Sequence, residues 1–285
     1  MPSEKDIKAF WQSTPVDEIN AGDLEGRFAG NWANVFEAYD KWRYTYQAHI
    51  LQALNKFDWK DKRVLEIGLG QGADSEQLIQ RGARWSGIDV TPKSVERLRM
   101  RLKLHNLPYD ALHEGSVLAL PFDDGSFDAV YSHGVLHHVP EIQLAQREIR
   151  RVLKPEGFLV LMVYARHSLN YHVSIRILRR VGLVTLYFLP IPVGGIYAEH
   201  KRLARENGIW NYLKLSNFVN RSTDGPHNPY SKVYRKKAIV EDFPDFDIVR
   251  TFKRWMHAPP LPVHGMPGES LLGWHLWAEL RPKLP

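Results

Sequence analysis

Short apolar runs alternate with amphipathic stretches along the middle of this chain. "RVLEIG" (63–68), "RWSGID" (84–89), "YDALHEG" (109–115), "FDAVYS" (127–132) and "FLVLMVY" (158–164) are six or seven residues long and read as strands. Between them, "ADSEQLIQRG" (73–82), "TPKSVERLRMRLKLHN" (91–106) and "IQLAQREIRRVLKP" (142–155) repeat apolar residues three and four apart, which predicts helices. Thr91 and Pro92 suit an N-cap and a first helical turn, while Gly82 and Pro155 mark stops. Asp124-Gly125 is a turn into the fourth strand, and Gly157 opens the fifth. Such alternation implies parallel strands with helices on both faces, an α/β doubly wound sheet.

The flanks are different in texture. Over 36–57, Phe36, Tyr39, Trp42/Arg43, Tyr46, Ile50 and Leu54 recur at helical spacing, so residues 1–60 read as a helical N-terminal extension. Residues 61–165 form the predicted core. Residues 166–235 read as a mostly helical insertion after the fifth strand. Residues 236–285 hold two closing strands, at 246–255 and 271–280. A single domain spanning 1–285 is the economical organisation.

Composition narrows the chemistry. The chain has 285 residues, 44% of them hydrophobic, enough for a full core. It has no cysteine, which excludes disulfides, thiolate metal sites and cysteine nucleophiles. The net charge is +6, with basic clusters at 97–105, 176–180 and 235–237 that read as solvated helix faces. The charged start "MPSEKDIKAF" lacks the apolar centre of a signal peptide, so a cytoplasmic location is expected. Residues 181–198 carry no charge, but Pro190, Pro192 and Gly194-Gly195 break them up. A helix and a buried loop are expected there; the sharper readings are a lid over an apolar substrate or a face that touches a membrane.

Chemistry concentrates in "VLEIGLGQG" (64–72). Its glycines, Gly68, Gly70 and Gly72, fall at every second position, whereas a dinucleotide site places the third one residue later. Glu66 ends the strand, where it would repel phosphate. Asp89 ends the second strand, 19 residues past Gly70, where a carboxylate can accept both hydroxyl protons of a ribose. An adenosine without phosphates, joined to a cationic group, satisfies both acids. S-adenosylmethionine is such a molecule.

"VLEIGLGQG", "GIDVTP", "LPFDDGSFDAVYSHGVLHHVP" and "EIRRVLKPEGFLVL", in this order, resemble the class I S-adenosylmethionine-dependent methyltransferases. Within them the chain is similar to the small-molecule branch that includes the ubiquinone and menaquinone enzymes. The resemblance covers 36–165 closely. It implies a Rossmann-like sheet of seven strands with the last antiparallel, and S-adenosylmethionine as cofactor. It places Glu66, Gly68, Leu69, Gly70 and Gly72 around the methionine part, Asp89 and Val90 at the ribose, and Ser132 and His133 near the amino and carboxylate groups. Ser116 and Val117 stand at the adenine, where the family usually carries an acid. From the leading helix, Tyr44 would close over the cofactor, with Tyr39 and Arg43 toward the acceptor.

His137 and His138 follow the fourth strand, where the methyl would emerge, and an imidazole there can accept a proton. His133 and His137 stand four apart, but no third ligand is evident and no metal is expected. Tyr164, Arg166, Asn170, Tyr171, His172, Asn228, Lys232 and Tyr234 are polar or aromatic enough to meet an acceptor, although Asp224-Gly225-Pro226 and Asn228-Pro229 form turns in any case. The expected activity is methyl transfer to a small hydrophobic or anionic metabolite. A nucleic-acid methyltransferase lacks support, since "SHGV" stands where Asn/Asp-Pro-Pro-aromatic is usual. A non-catalytic cofactor binder stays open.

Overall fold

The computed structural model describes residues 2–14 and 22–283. Seven strands, β1 (Arg63–Ile67), β2 (Arg84–Asp89), β3 (Ala111–Glu114), β4 (Phe127–His133), β5 (Leu153–Tyr164), β6 (Phe246–Arg254) and β7 (His275–Pro282), form one sheet in the order β3-β2-β1-β4-β5-β7-β6. β1 to β5 run parallel; β7 is antiparallel to both its neighbours. The order reverses beside β1, which opens a crevice at the carboxyl ends of β1 and β4.

Strand periodicity separates the two faces. Leu65 and Ile67 of β1 point to one core with Ile142, Ala145, Ile149 and Val152 of a helix at Ile142–Val152. Val64 points to the other, against Leu78 and Ile79 of the helix Ala73–Gln80 and Val95, Leu98 and Leu102 of the helix Pro92–Leu104. Ile50 and Leu54 of the helix His49–Leu54 complete that second layer.

Several local expectations shift. The single helix expected over 36–57 breaks at Gln47, giving Trp32–Tyr46 and His49–Leu54. β5 begins at Leu153 and runs through Pro155, which sits beside a register shift between Phe127 and Ala129 where no ladder donor is required. β7 starts only at His275, because Glu269–Leu272 coils into a short helix. The basic run at 97–105 is not wholly a solvated face. Arg97 and Arg101 are 3% and 0% exposed, the first paired with Glu25 and the second held by Asp40 at 2.7 Å and Glu76 at 2.8 Å. The N-terminal extension covers that side of the helix and brings Glu25 and Asp40, while Glu76 comes from the helix Ala73–Gln80.

After β5 come a π-helical segment (Asn170–Leu178) and the helices Arg179–Phe188, Gly195–Asn207, Ile209–Tyr212 and Leu215–Thr223. They share a core of their own, including Ile175, Leu183, Tyr212 and Phe218, closed from the sheet side by Trp274. Within the uncharged stretch, Gly182, Leu183, Leu186, Ile196 and Tyr197 line a large cavity, but the loop expected to be buried is exposed, Leu189 and Ile191 included, because it caps the helices from outside their core. Among the described residues, no helix is long and apolar enough to cross a membrane.

Candidate active site

A cavity of about 620 Å³ occupies the crevice at the strand ends. Its floor is the glycine loop. Gly68 has φ +81°, and a Cβ there would come within 2.1 Å of Val135 Cγ2, so only glycine fits. Leu69 and Gly70 also line the cavity, but Gly72 does not. Gly72 caps the following helix at φ +77°, where a Cβ would meet Leu98 Cδ1 at 2.5 Å, so its role is close packing.

Two acids end the neighbouring strands. Glu66 accepts a hydrogen bond from Trp85 Nε1 at 2.9 Å, and burial pushes its carboxyl up to about 8. Asp89 accepts from Leu69 N at 2.7 Å through one oxygen, and from Thr91 N and Oγ1, both at 2.8 Å, through the other. Burial raises its pKa, and those donors oppose the rise. Asp89 thus ties the loop to the end of β2 while still facing the cavity, as Val90 does.

A third acid, Asp74, escaped the sequence reading. It sits in the first turn of Ala73–Gln80 and is 5% exposed. Arg43 donates to it from Nη2 at 2.8 Å and Nε at 3.1 Å, Tyr131 OH at 2.9 Å and Tyr44 OH at 3.2 Å. Burial alone would raise this carboxyl; the Arg43 guanidinium holds it well below the usual range. Nothing local distinguishes Asp74 from an ordinary helix-start acid, because its partners come from residues 30 to 57 positions away. Arg43 Nη2 also lies 3.2 Å from His133 Nδ1, which must accept, since a guanidinium only donates. Burial holds His133 at about 3, so it is neutral. Tyr39, Arg43 and His133 line the cavity; Tyr44 reaches only Asp74.

The two successive histidines part company. Leu136–His138 is a single 3-10 turn, which sends adjacent side chains in different directions. His137 is fully buried against the Tyr164 ring at 4.0 Å, is absent from the cavity wall, and burial holds it well below the ordinary imidazole range. It is therefore out of place as the expected base. His138 is on the wall. Its Nδ1 lies 2.7 Å from the Tyr230 carbonyl, which can only accept, so Nδ1 carries a proton. Nε2 has no hydrogen-bond partner and lies 3.4 Å from Asp224 Oδ2. Tyr164, also on the wall, donates to the other oxygen of Asp224 at 2.6 Å. His137, His138 and Asp224 bring ligand atoms within 4.8 Å of one another, a grouping different from the His133 and His137 pair considered in the sequence.

At the far side, Ser116 and Val117 line the cavity, and Ser116 donates to Glu4 Oε2 at 2.8 Å. Glu4 opens the helix Glu4–Ser13, whose Ile7 and Trp11 are also on the wall. An acid is thus present beside Ser116, delivered by the N-terminal extension.

The remaining expected contacts lie off the wall. Ser132 Oγ donates to the Ile67 carbonyl at 3.2 Å. Lys232 and Tyr234 are both spent on Asp242, at 2.6 and 2.7 Å. Asn228 is buried in a hydrogen-bonded turn with Thr223 and Ser231. Arg166 stacks over Tyr171, Asn170 Oδ1 accepts from Arg179, and His172 is exposed. Turn and cap chemistry accounts for them.

Residues 65–161 match the family model of a methyltransferase domain. The chain is 36% identical over 157 residues to a demethylmenaquinone methyltransferase of Tropheryma whipplei, spanning 53% of this chain and 64% of that one. It is 32% identical over 120 residues to a fatty-acid O-methyltransferase of Mycolicibacterium smegmatis, 41% and 42% of the two chains. The chain thus spans less than two thirds of the length of these curated relatives. A solved S-adenosylmethionine-dependent methyltransferase from Methanosarcina mazei shares the fold, with a TM-score of 0.55 at 17% identity over 82% of this chain and 98% of that one. Residues 65–161 are thus similar to a methyltransferase domain, and the chain has the fold of the solved S-adenosylmethionine-dependent methyltransferases.

The residues present fit the family's cofactor. The glycine loop lines the cavity through Gly68, Leu69 and Gly70, with Gly68 pressed against Val135. Two acids on the cavity rim, Asp89 and Glu4, with the buried carboxyl of Glu66, match a ligand that carries ribose hydroxyls, a purine amino group and an ammonium whose charge would favour ionised Glu66.

Proposed function

We propose that this protein transfers a methyl group from S-adenosylmethionine to a small organic acceptor whose nucleophile must lose a proton. The observation that carries this reading is a single cavity walled both by the glycine loop with its acids and by His138 and the aromatic cap. Glu66, Gly68, Leu69 and Gly70 would hold the methionine part, Asp89 and Val90 the ribose, and Glu4, Ser116 and Val117 the adenine. When bound, the cofactor supplies an electrophilic methyl group. The chain itself contributes position, which alone can lower a barrier by about 7–11 kcal/mol, and a base. His138 Nε2 takes the acceptor's proton, the Tyr230 carbonyl fixes the tautomer, and Asp224 stabilises the imidazolium that forms. The named relatives, which act on a quinone precursor and a fatty acid, support a small-molecule acceptor.

Calorimetry with S-adenosylmethionine, S-adenosylhomocysteine and NAD tests the first half: the first two bind and the third does not. Asp89→Ala should weaken both by about 1.5–3 kcal/mol per lost bond; unchanged affinity would remove Asp89 from the site. For the second half, labelled cofactor is incubated with metabolite extracts. His138→Ala should lower turnover by about 10²–10⁴ at unaltered cofactor affinity. His137→Ala should lower the melting temperature and leave turnover per folded molecule intact. The opposite ranking would reinstate His137.

A further inference from the structure

The cap side of the cavity is largely apolar, and it holds cationic groups that no carboxylate among the described residues pairs with. Leu183, Leu186, Ile196, Phe218, Trp255 and Trp274 form its walls, and among them stand two guanidinium groups, Arg179 and Arg221. Arg179 donates from Nη1 to the Ser222 carbonyl, from Nε to the Pro259 carbonyl at 3.2 Å and from Nη2 to Asn170 Oδ1 at 3.4 Å. All three acceptors are neutral. An arginine has five N–H donors, so one remains on each terminal nitrogen. Arg221 lies over the Tyr212 ring, 4.3 Å from its centroid. Among the described residues, neither arginine has a carboxylate within ion-pair distance. Burial lowers Arg179 to about 10, so it is still cationic at neutral pH. The titratable neighbours do not share this charge: burial, and next the Arg179 cation, keep His257 at about 3 and His200 at about 4, both neutral. Asp224, the nearest acid of this wall in the chain, is engaged by Tyr164.

An enclosed cation without a counter-ion is unfavourable, and an incoming anion offsets that. A planar guanidinium with free donors on both terminal nitrogens matches a carboxylate, which it can hold by two parallel bonds. We propose that the cap chamber selects an acceptor with an apolar body and a carboxylate group, and that Arg179, assisted by Arg221, binds that carboxylate. This rests on the methyltransferase reading only in taking the bound molecule to be the acceptor; the binding itself does not require it.

The test is equilibrium binding of decanoate, decanol and decylamine to the full-length protein, with and without S-adenosylhomocysteine. Decanoate should bind at least about tenfold tighter than decanol, with decylamine weakest. Arg179→Gln should abolish that preference while leaving decanol affinity within about twofold, and Arg179→Lys, which keeps the charge but not the fork, should restore part of it. Should Arg179→Gln fail to fold, Arg221→Gln, whose preference should fall by a smaller factor, and the comparison of the three probes on the unaltered protein still decide. Equal affinity for decanoate and decanol, no measurable decanoate binding, or a preference that survives Arg179→Gln would overturn the proposal. Failure to bind S-adenosylhomocysteine would refute the methyltransferase reading instead, and leave the carboxylate preference standing.

Discussion

Glu66 is a carboxyl group held away from water, with Trp85 donating to it. Its folded pKa of about 8 lies above the 4.5 of the free side chain. Below pH 4.5 both folded and unfolded chains keep the proton. Between 4.5 and 8 the unfolded chain has lost it and the folded chain retains it, so stability falls as pH rises, by up to roughly 1.4 kcal/mol per unit. Above 8 the slope ends. Glu66→Gln keeps an acceptor for Trp85 and removes the titration. In thermal melts of the cofactor-free variant, the decline between pH 5 and 8 should therefore be shallower than in the unaltered protein. A decline of equal slope would exclude Glu66 as its source. Asp74 behaves in the opposite way, because its pairing with Arg43 favours the charged form. Asp74→Asn removes one charge of a buried ion pair and should cost about 3–5 kcal/mol of unfolding free energy in denaturant titrations.

Elements deliver these residues from different places. The helix Glu4–Ser13 has a capping box at Ser3 and Asp6, so it is locally well specified, yet its effect is tertiary. It brings Glu4 beside Ser116 and sets the Trp11 ring against His138, centroids 5.0 Å apart. Glu4→Gln should weaken binding of adenosine and of S-adenosylmethionine by a similar factor, about tenfold for one lost charge-assisted bond. Loss restricted to the methionine portion would place Glu4 elsewhere. On the proposed reading, the carboxylate that the serine at 116 lacks is supplied by Glu4, 112 residues earlier in the chain. Helix Trp32–Tyr46 likewise matters through Arg43, whose aromatic neighbours on the same helix pack as their spacing predicted.

For the molecule as a whole, net charge is a poor guide to partners. The +6 balance suggested basic faces, but Arg97 and Arg101 are buried among acids and Arg179 and Arg221 face the cavity. DNA and RNA should accordingly bind weakly and lose affinity steeply between 50 and 200 mM salt, about a decade or more for a few phosphate contacts; a fluorescence titration with an RNA duplex that stays tight across that range would contradict this. The alternation of strands and helices and the glycine loop were legible in the sequence, because strand periodicity and the need for positive φ are local properties that each residue carries with it; the antiparallel last strand was implied only by the resemblance, and the order of strands came from the structure. Gly68, Glu66 and Asp89 could be placed for the same reason: they end strands. What only the tertiary structure decided is which side chains share the cavity. The turn at Leu136–His138 puts His138 on the wall and His137 behind it. Folding of the cap turns Lys232, Tyr234 and Asn228 into its fastenings and leaves Arg179 unbalanced. Contacts across tens to hundreds of residues depend on packing and burial, and no short stretch of sequence encodes them.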